Sequence, residues 1–287
     1  MAMKQLMLPG EIVKKSNALA RARWSAESVW EPRLVALLAS KVRQDDTDFQ
    51  VYEIPVSEII RESSGGKDYR EIEDVVDRVM SRVLTIRDDD GKGWTKYNVF
   101  SRCRYRPKEA VLELGFHPDL RPHYLNLQKN FAQYNLLDYL RLPSIYSQRI
   151  FEFLKSWDDR AETTIEINEL YDMIDAPASF RKDFRNFRLR VLEKAYKDIH
   201  KLTPLEYEWE PIKKGRAVSA IRFVFSGAKK NIVAKKNKAI SDQKQSQDNN
   251  KYFKAAVECQ KSGKCDYKSK SKVCTICKKL FPTEQLK

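Results

Sequence analysis

The sequence has no long hydrophobic run. Crossing a bilayer takes roughly 20 consecutive apolar residues, and no stretch of these 287 residues approaches that length. The first residues, MAMKQLMLPGEIVKKSN, also lack the uninterrupted apolar core of a secretory signal, because Pro9, Gly10 and Glu11 interrupt it. We therefore expect a cytosolic protein with no membrane-spanning helix and no membrane partner.

Cysteine is scarce as well. Five residues are few for a disulfide scaffold, and four of them lie in the last 29 residues with the spacing C-x5-C-x8-C-x2-C. In a reducing compartment such a group indicates either a structural zinc site or a set of free thiols. The candidate zinc ligands are Cys259, Cys265, Cys274 and Cys277, and no other cofactor is predicted. Cys103 alternates within a predicted strand, as a small buried apolar residue would.

Histidine is rarer still, and its scarcity bears on catalysis. A rolling-circle nickase needs a metal-bound histidine pair, typically His-x-His, and a nucleophilic tyrosine. The chain has three histidines, of which His117 and His123 are five residues apart around two prolines and form a poor metal pair. The Gly-x-x-x-x-Gly-Lys-Ser/Thr motif that cradles nucleotide phosphates is also missing. The sequence therefore predicts a protein that is not an enzyme.

Positive charge is abundant and unevenly distributed. The formal net charge is +14, and residues 227–287 hold 16 lysines, no arginine and 5 acidic residues. The rest of the chain has 38 basic and 35 acidic residues and is nearly balanced. A lysine-rich tail attracts polyanions without regard to sequence. Specific recognition must therefore come from ordered basic residues within the body of the chain.

One order of elements occurs twice in that body. A helical pattern within residues 16–43 precedes a strand and helix in FQVYEIPVSEIIRE, a helix over 68–86, and strands in WTKYNVFSRCRY and AVLELGF. The second copy has a helix over 144–157, a strand and helix in TTIEINELYDMIDA, a helix over 179–201 with Ser179 as its N-cap, and a hairpin closed by KKGR. Helix-turn-helix followed by a β-hairpin is the winged-helix arrangement. The predicted fold class is α+β, with two tandem winged-helix domains and a lysine-rich C-terminal tail.

The predicted boundaries follow from this order. Residues 1–133 form the first winged helix and residues 134–226 the second. The segment HPDLRPHYLNLQKNFAQYNLLDYLRLP between the copies is predicted to be a helix and connector. Residues 227–287 are expected to be a flexible basic tail, with or without the zinc module.

The helix SFRKDFRNFRLRVLEKAYKDIHK alternates aromatic and cationic residues in its first turns. On a helical wheel, one face is apolar and consists of Phe180, Phe184, Phe187, Val191, Ala195 and Ile199. The basic side then projects outward as a major-groove helix does, although a merely solvated face is the competing interpretation. The candidate DNA-binding residues are Arg181, Lys182, Arg185, Asn186, Arg188 and Arg190, with Lys213, Lys214 and Arg216 at the hairpin tip.

The equivalent helix of the first copy, residues 68–86, has a different charge pattern. Its arginines, at 70, 78 and 82, alternate with the acidic residues Glu71, Glu73, Asp74 and Asp77, which repel a phosphate backbone. Two roles remain open for it: a structural or dimerising one, and accessory contact with DNA. Sequence specificity is predicted to lie mostly in the second copy.

Several segments together resemble one family. YSQRIFEFLKSW, FRNFRLRVLEKAYKDIH, KKGRAVSAIRFVF, NALARARWSAESVWEPRLVALLASKV and FHPDLRPHYLNLQKNFAQYNL are similar to segments of iteron-binding plasmid replication initiators, over about residues 12–226. The resemblance implies binding to repeated origin sequences in double-stranded DNA, origin opening, and recruitment of the host replication initiator and helicase machinery. It also implies a monomer that binds repeats and a dimer that represses its own promoter. A transcriptional repressor without initiator activity is the alternative, since it shares the DNA-binding features.

Overall fold

The same arrangement of helices and strands is built twice in this chain. The computed structural model describes residues 12–43, 46–59, 68–88 and 92–225. The strands are β1 (Ile12–Ser16), β2 (Tyr52–Pro55), β3 (Val83–Arg87), β4 (Trp94–Asn98), β5 (Phe100–Arg106), β6 (Val111–Phe116), β7 (Phe131–Asn135), β8 (Glu162–Glu166), β9 (Tyr207–Lys214) and β10 (Ala217–Phe225). The α-helices are α1 (Asn17–Ala20), α2 (Trp30–Lys41), α3 (Val56–Ile59), α4 (Asp68–Ser81), α5 (Arg121–Tyr124), α6 (Leu136–Leu140), α7 (Ile145–Lys155), α8 (Ile167–Met173), α9 (Ala178–Lys182), α10 (Phe184–Phe187) and α11 (Glu193–Leu202). No helix in the described ranges is both long and apolar enough to cross a membrane.

The two copies share one sheet topology. The first copy has the strand order β2-β6-β5 and the second has β8-β10-β9, and every pairing within these sheets is antiparallel. In each copy a helix precedes the first strand, and further helices separate that strand from the hairpin that completes the sheet. This confirms the α+β class and the two tandem winged helices.

The helices of the first copy bury the faces that their periodicity indicates, but α4 is shorter than predicted. The buried side chains at helical spacing are Leu34, Leu37 and Leu38 on α2 and Ile72, Val75, Val76 and Val79 on α4. The helix predicted over residues 68–86 ends at Ser81, and Val83 is 44% exposed at the start of β3. Val83–Arg87 instead pairs with β4: three of its five residues are β-branched, which favours a strand, and the strand buries Leu84 and Ile86 on one side.

The segment between the copies contains a strand that its pattern does not reveal. It holds the short helices α5 and α6, and between them β7 pairs antiparallel with β1 in the register Ile12↔Asn135. The partners are more than a hundred residues apart, so local propensity carries no signal of the pairing. The predicted boundary between residues 133 and 134 falls inside β7, and the division into 1–133 and 134–226 stays a prediction.

A buried charged cluster ties β1 and β7 to helix α7. Glu152 forms ion pairs with Lys15 and, at 2.8 Å, with Arg149, and it accepts a hydrogen bond from the Tyr134 hydroxyl at 2.7 Å. Arg149 also donates to the carbonyl oxygen of Ala22. Burial by itself raises the pKa of the Glu152 carboxyl, but the charges of Lys15 and Arg149 and the hydrogen bonds outweigh it, and the pKa lies below its ordinary value. Every charge in the cluster therefore has a partner, as buried charges require.

Candidate DNA interface

The helical region 178–202 of the second copy, which we call the recognition helix, is anchored by its apolar face. Phe187, Val191, Ala195 and Ile199 are fully buried, while Phe180 and Phe184 are half-buried and pack against the same core. The Phe187 ring meets the Tyr171 ring edge-on, with 4.7 Å between centroids. The predicted anchoring face is confirmed, and the basic side of the helix faces solvent.

The recognition helix is interrupted once and widened once. Asp183 adopts an extended conformation between α9 and α10, and its carboxylate caps the new helix by accepting from the backbone N–H of Arg185 at 2.9 Å. The predicted N-cap at Ser179 is wrong: Pro177 precedes the first turn, and Ser179 lies within α9. From Phe184 the helix continues to Leu202 through a π-helical turn at Arg188–Leu192. Such widened turns often occur at functional sites.

The predicted DNA-binding residues of this helix divide by what they already bind. Arg181 is held by Asp172 at 2.8 Å and by the carbonyl of Ala176 at 3.1 Å. Arg188 pairs with Glu193 at 2.7 Å, and Asn186 donates to Asp183 at 2.8 Å. The other three predicted cations of this helix are Lys182, Arg185 and Arg190. Within the described residues, their side chains have no hydrogen-bonding or ionic partner. These three are the helix cations most available to a nucleic acid.

The hairpin of β9 and β10 carries the other predicted contacts at its tip. Lys214 pairs with Ala217, and Gly215 between them has φ +65°, which favours glycine in a tight hairpin turn. Lys213, Lys214 and Arg216 are exposed, and in the described part of the chain their side chains have no ionic partner. The tip therefore presents three cations on a rigid turn.

A cleft of about 1040 Å³ separates the recognition helix from this hairpin. Its cationic lining residues come from both sides and are Arg181, Lys182, Arg185, Arg188, Lys213 and Arg216. Tyr196 and Trp209 also line it, and Tyr196 donates a hydrogen bond to the acidic lining residue Glu208 at 3.1 Å. Asn186 and Arg190 lie outside the cleft lining. The structure thus brings six of the nine predicted residues around one positively charged groove.

Comparison with known proteins identifies the family. The sequence model described as "Initiator Replication protein, WH1" matches residues 12–155, and the one described as "Initiator Rep protein, WH2" matches residues 166–225. The chain belongs to the initiator Rep protein family. We call the first copy WH1 and the second copy WH2, and the first match also covers α7 of the second copy.

Solved structures are also similar to this Rep protein. One, described as "Crystal structure of Pi initiator protein in complex with iteron DNA", has a TM-score of 0.61 at 19% sequence identity, covering 76% of this chain and 98% of that one. A weaker match, to domains 2–3 of RctB, has a TM-score of 0.36 at 13% identity and covers 70% of this chain and 83% of that one. At 19% identity, the similarity to the Pi initiator structure shows the fold alone.

In WH1, Arg78 of α4 and Arg82, which follows the end of α4, bind acidic residues of the protein itself. Glu31, fully buried on α2, accepts from Arg78 at 3.1 Å and lies 3.7 Å from Arg82. It also accepts from the backbone N–H groups of Glu27 and Ser28. Arg82 forms a further ion pair with Glu27. These contacts give Arg78 and Arg82 a structural role, while the choice between dimerisation and accessory DNA contact for WH1 stays open.

His123 and Cys103 of the Rep protein pack within WH1. His123 shares a hydrogen bond with the Ser16 hydroxyl at 2.8 Å, and burial lowers the pKa of its imidazole. Cys103 is half-buried in β5, where burial raises the pKa of its thiol to about 11. The described ranges contain no cluster of three or more potential metal ligands. The predicted zinc ligands Cys259, Cys265, Cys274 and Cys277 lie outside the described residues.

Sequence reasoning missed the aromatic residues of the cleft and the buried acid of WH1. Tyr207 and Trp209 lie on the same face of β9, where Tyr207 is buried in the core and Trp209, nearer the hairpin tip, is half-buried and lines the cleft. Glu31 lies in the first turn of α2, directly before the apolar stretch 34–39 that enters the core. The aromatic residues of β9 and the acidic residue Glu31 are visible in the sequence. Their roles become clear only when the structure shows which surfaces face each other.

Proposed function

We propose that this protein is a plasmid replication initiator that binds the direct repeats, or iterons, of its origin. One observation carries the proposal: in a chain of the initiator Rep family, cations from the recognition helix and from the hairpin tip line a single cleft in WH2. The solved Pi initiator of the same fold is described as a complex with iteron DNA, which supports the same ligand for this chain.

The geometry supports different roles for the recognition helix and for the hairpin of WH2. A recognition helix in the major groove reads base edges, and arginine forms two hydrogen bonds with guanine O6 and N7. Arg185 and Arg190 suit that task because their guanidinium groups are unpaired in the described structure. Lys213, Lys214 and Arg216 lie across the cleft and suit the neighbouring phosphates, which position the protein without reading sequence.

The experiment that tests this proposal measures binding to the DNA that flanks the gene. Direct repeats of about twenty base pairs should lie beside the gene. This length corresponds to about two turns of the DNA helix, which two winged helices can span. In fluorescence anisotropy at fixed salt, a single repeat should bind at least 10³-fold more tightly than a shuffled duplex, the low end of specific DNA recognition. Equal affinity for the repeat and the shuffled duplex would refute the proposal.

Initiation itself goes beyond binding. We infer that the repeat-bound protein opens the adjacent DNA and recruits the host replication initiator and replicative helicase. Permanganate reactivity of thymines in a supercoiled origin plasmid should appear only when the protein is present. Repeat binding without any strand opening, tested with and without host initiator, would favour the alternative of a repressor that lacks initiator activity.

We also propose that a dimer of the protein represses its own promoter while the monomer binds repeats. The acid-rich helix α4 of WH1 supports this, since its acidic residues suit a protein surface better than phosphates. Analytical ultracentrifugation over a concentration series should show a dimer that dissociates when one repeat is added. A monomer at every concentration would contradict repression by a dimer.

A further inference from the structure

One exposed residue of the recognition helix does not share the chemistry of its neighbours. From Phe184 to Leu202, Leu189 is the one large apolar side chain that is strongly exposed, at 48%. The other exposed positions in this stretch are Arg185, Asn186, Arg188, Arg190, Lys194, Lys197 and Lys201. A single exposed leucine is ordinary on a protein surface, so its position within the candidate interface must decide whether it has a role.

Leu189 lies at the centre of the predicted base-reading surface. Arg185 and Asn186 precede it by four and three residues, so they lie beside it one helical turn back. Arg185 and Arg188 line the cleft toward the hairpin, whereas Asn186 and Arg190 lie outside that lining. Leu189 is therefore flanked by the cleft-lining Arg185 and Arg188 on one side and by Asn186 and Arg190 on the other.

Leu189 lies within the widened turn of the helix. Within Arg188–Leu192, both Val191 and Leu192 are buried, while the three preceding residues are all exposed. Val191 and Leu192 thus fill the core at this turn. Leu189 is not needed there, and it is left facing outward beside two arginines.

The chemistry of the major groove gives such a residue a specific partner. Guanine, cytosine and adenine present only hydrogen-bonding groups there, whereas thymine adds an apolar C5-methyl group. Leucine cannot hydrogen-bond to a base edge, but it can bury a methyl group that no arginine or asparagine would favour. A leucine amid hydrogen-bonding residues is therefore suited to select thymine.

We propose that Leu189 contacts the C5-methyl group of a thymine in the bound repeat and specifies thymine at that position. This inference rests on the proposed function, because it assumes that the recognition helix of WH2 enters the major groove of the repeat. It adds an apolar specificity contact to the hydrogen-bonding residues that the charge pattern indicates.

The test removes the methyl group from the DNA and the leucine from the protein. Each thymine of the repeat is replaced in turn by deoxyuridine, which lacks only the C5-methyl group, and affinities are measured by anisotropy. The wild-type protein should lose about fourfold in affinity at one or two positions, the effect of one buried methyl group. Leu189→Ala should bind the thymine repeat less tightly and show no further loss from deoxyuridine at those positions.

Two matched variants complete the design. Leu137→Ala removes an exposed leucine on α6 (39% exposed), outside the recognition helix, and should keep the full deoxyuridine sensitivity. Leu189→Met, which conserves apolar volume, should keep most of it. Wild-type protein that tolerates deoxyuridine at every position, or Leu189→Ala that retains the wild-type sensitivity, overturns the inference while leaving repeat binding intact. Failure of the wild-type protein to prefer the repeat over shuffled DNA would instead refute the proposed function.

Discussion

Arginines of the recognition helix differ in what their guanidinium groups already contact, and this difference predicts their separate effects on binding. Arg181 and Arg188 are held by acidic side chains of the same domain, so part of their charge is neutralised before DNA arrives. Arg185 and Arg190 carry no such partner among the described residues. An unpaired guanidinium can form two hydrogen bonds with a guanine without first breaking an ion pair.

We expect Arg185→Ala and Arg190→Ala each to weaken binding to the cognate repeat by about 1–3 kcal/mol, the value of one specific base contact. Binding to shuffled DNA should fall much less, because the substitution removes a base contact and leaves the phosphate contacts in place. Anisotropy titrations with both duplexes measure the two effects. Arg160→Ala is the matched control, since Arg160 lies in the turn before β8, at the end of the sheet away from the hairpin tip. Equal losses on both duplexes would show that these arginines only hold phosphates.

Glu152 is the residue on which the buried cluster depends. We expect Glu152→Gln to lower the free energy of unfolding by about 3–5 kcal/mol, because Lys15 and Arg149 would remain buried without their carboxylate. Urea denaturation measures the change. Asp158→Asn, which breaks the more exposed ion pair with Lys155, is the control and should cost about 0–1 kcal/mol. A Glu152→Gln protein as stable as the control would contradict the role assigned to the cluster.

The pH dependence of stability follows from the same carboxyl. Its pKa is lower in the folded protein than in the unfolded chain, so its stabilising contribution is complete above the unfolded value of about 4.3 and is lost as the pH falls through the folded value. The stability difference between wild type and Glu152→Gln should therefore be constant near neutral pH and shrink below about pH 4. Urea midpoints at a series of acidic pH values test this. A difference independent of pH would mean that Glu152 acts through packing alone.

At the scale of elements, the hairpin of β9 and β10 should act differently from the recognition helix. Its cations lie on a turn that exposes them, and lysine lacks the rigid fork with which arginine reads a base. We expect Lys213→Ala with Lys214→Ala to weaken binding to cognate and shuffled DNA alike. For every phosphate that the variant no longer neutralises, the slope of log affinity against log salt should become shallower by about 0.9.

The control for the hairpin variant is a double substitution of two other exposed lysines. Lys197→Ala with Lys201→Ala removes the same charge from α11, at positions outside the cleft lining. It should leave the salt slope nearly unchanged. A hairpin variant that alters the ranking of DNA sequences would show that the hairpin reads bases rather than phosphates.

At the scale of the whole molecule, the lysine-rich tail should add affinity without adding specificity. Residues 227–287 carry a net charge of +11, because they contain 16 lysines and 5 acidic residues. Deleting them should flatten the salt dependence of binding, because fewer counterions are released from DNA. The ranking of repeat variants should stay the same, and a changed ranking would contradict the tail's proposed role.

The four tail cysteines allow a separate measurement. If Cys259, Cys265, Cys274 and Cys277 hold zinc, protein purified reduced and without chelator should contain about one equivalent of metal, as a four-thiolate site binds one ion. The double variant Cys274→Ser, Cys277→Ser should lose it. Metal-free wild-type protein would rule out the zinc module and leave the tail as an electrostatic tether.

The sequence by itself determined the features that depend on local order and periodicity. Helical spacing placed Phe187, Val191, Ala195 and Ile199 on one buried face, and the repeated order of elements predicted two winged helices. Predictions of this kind are reliable because the periodicity of apolar side chains and the residue preferences of turns depend on only a few neighbouring residues.

Only the tertiary structure decided what depends on distant partners. The pairing of β1 with β7, the cluster around Glu152 and the commitment of Arg78 to Glu31 each join residues that are far apart in the chain. The helix end at Ser81 and the widened turn at Arg188–Leu192 were also decided there. In these places the burial of apolar side chains and the pairing of buried charges outweigh local helical preference, so the outcome depends on contacts that no single segment encodes.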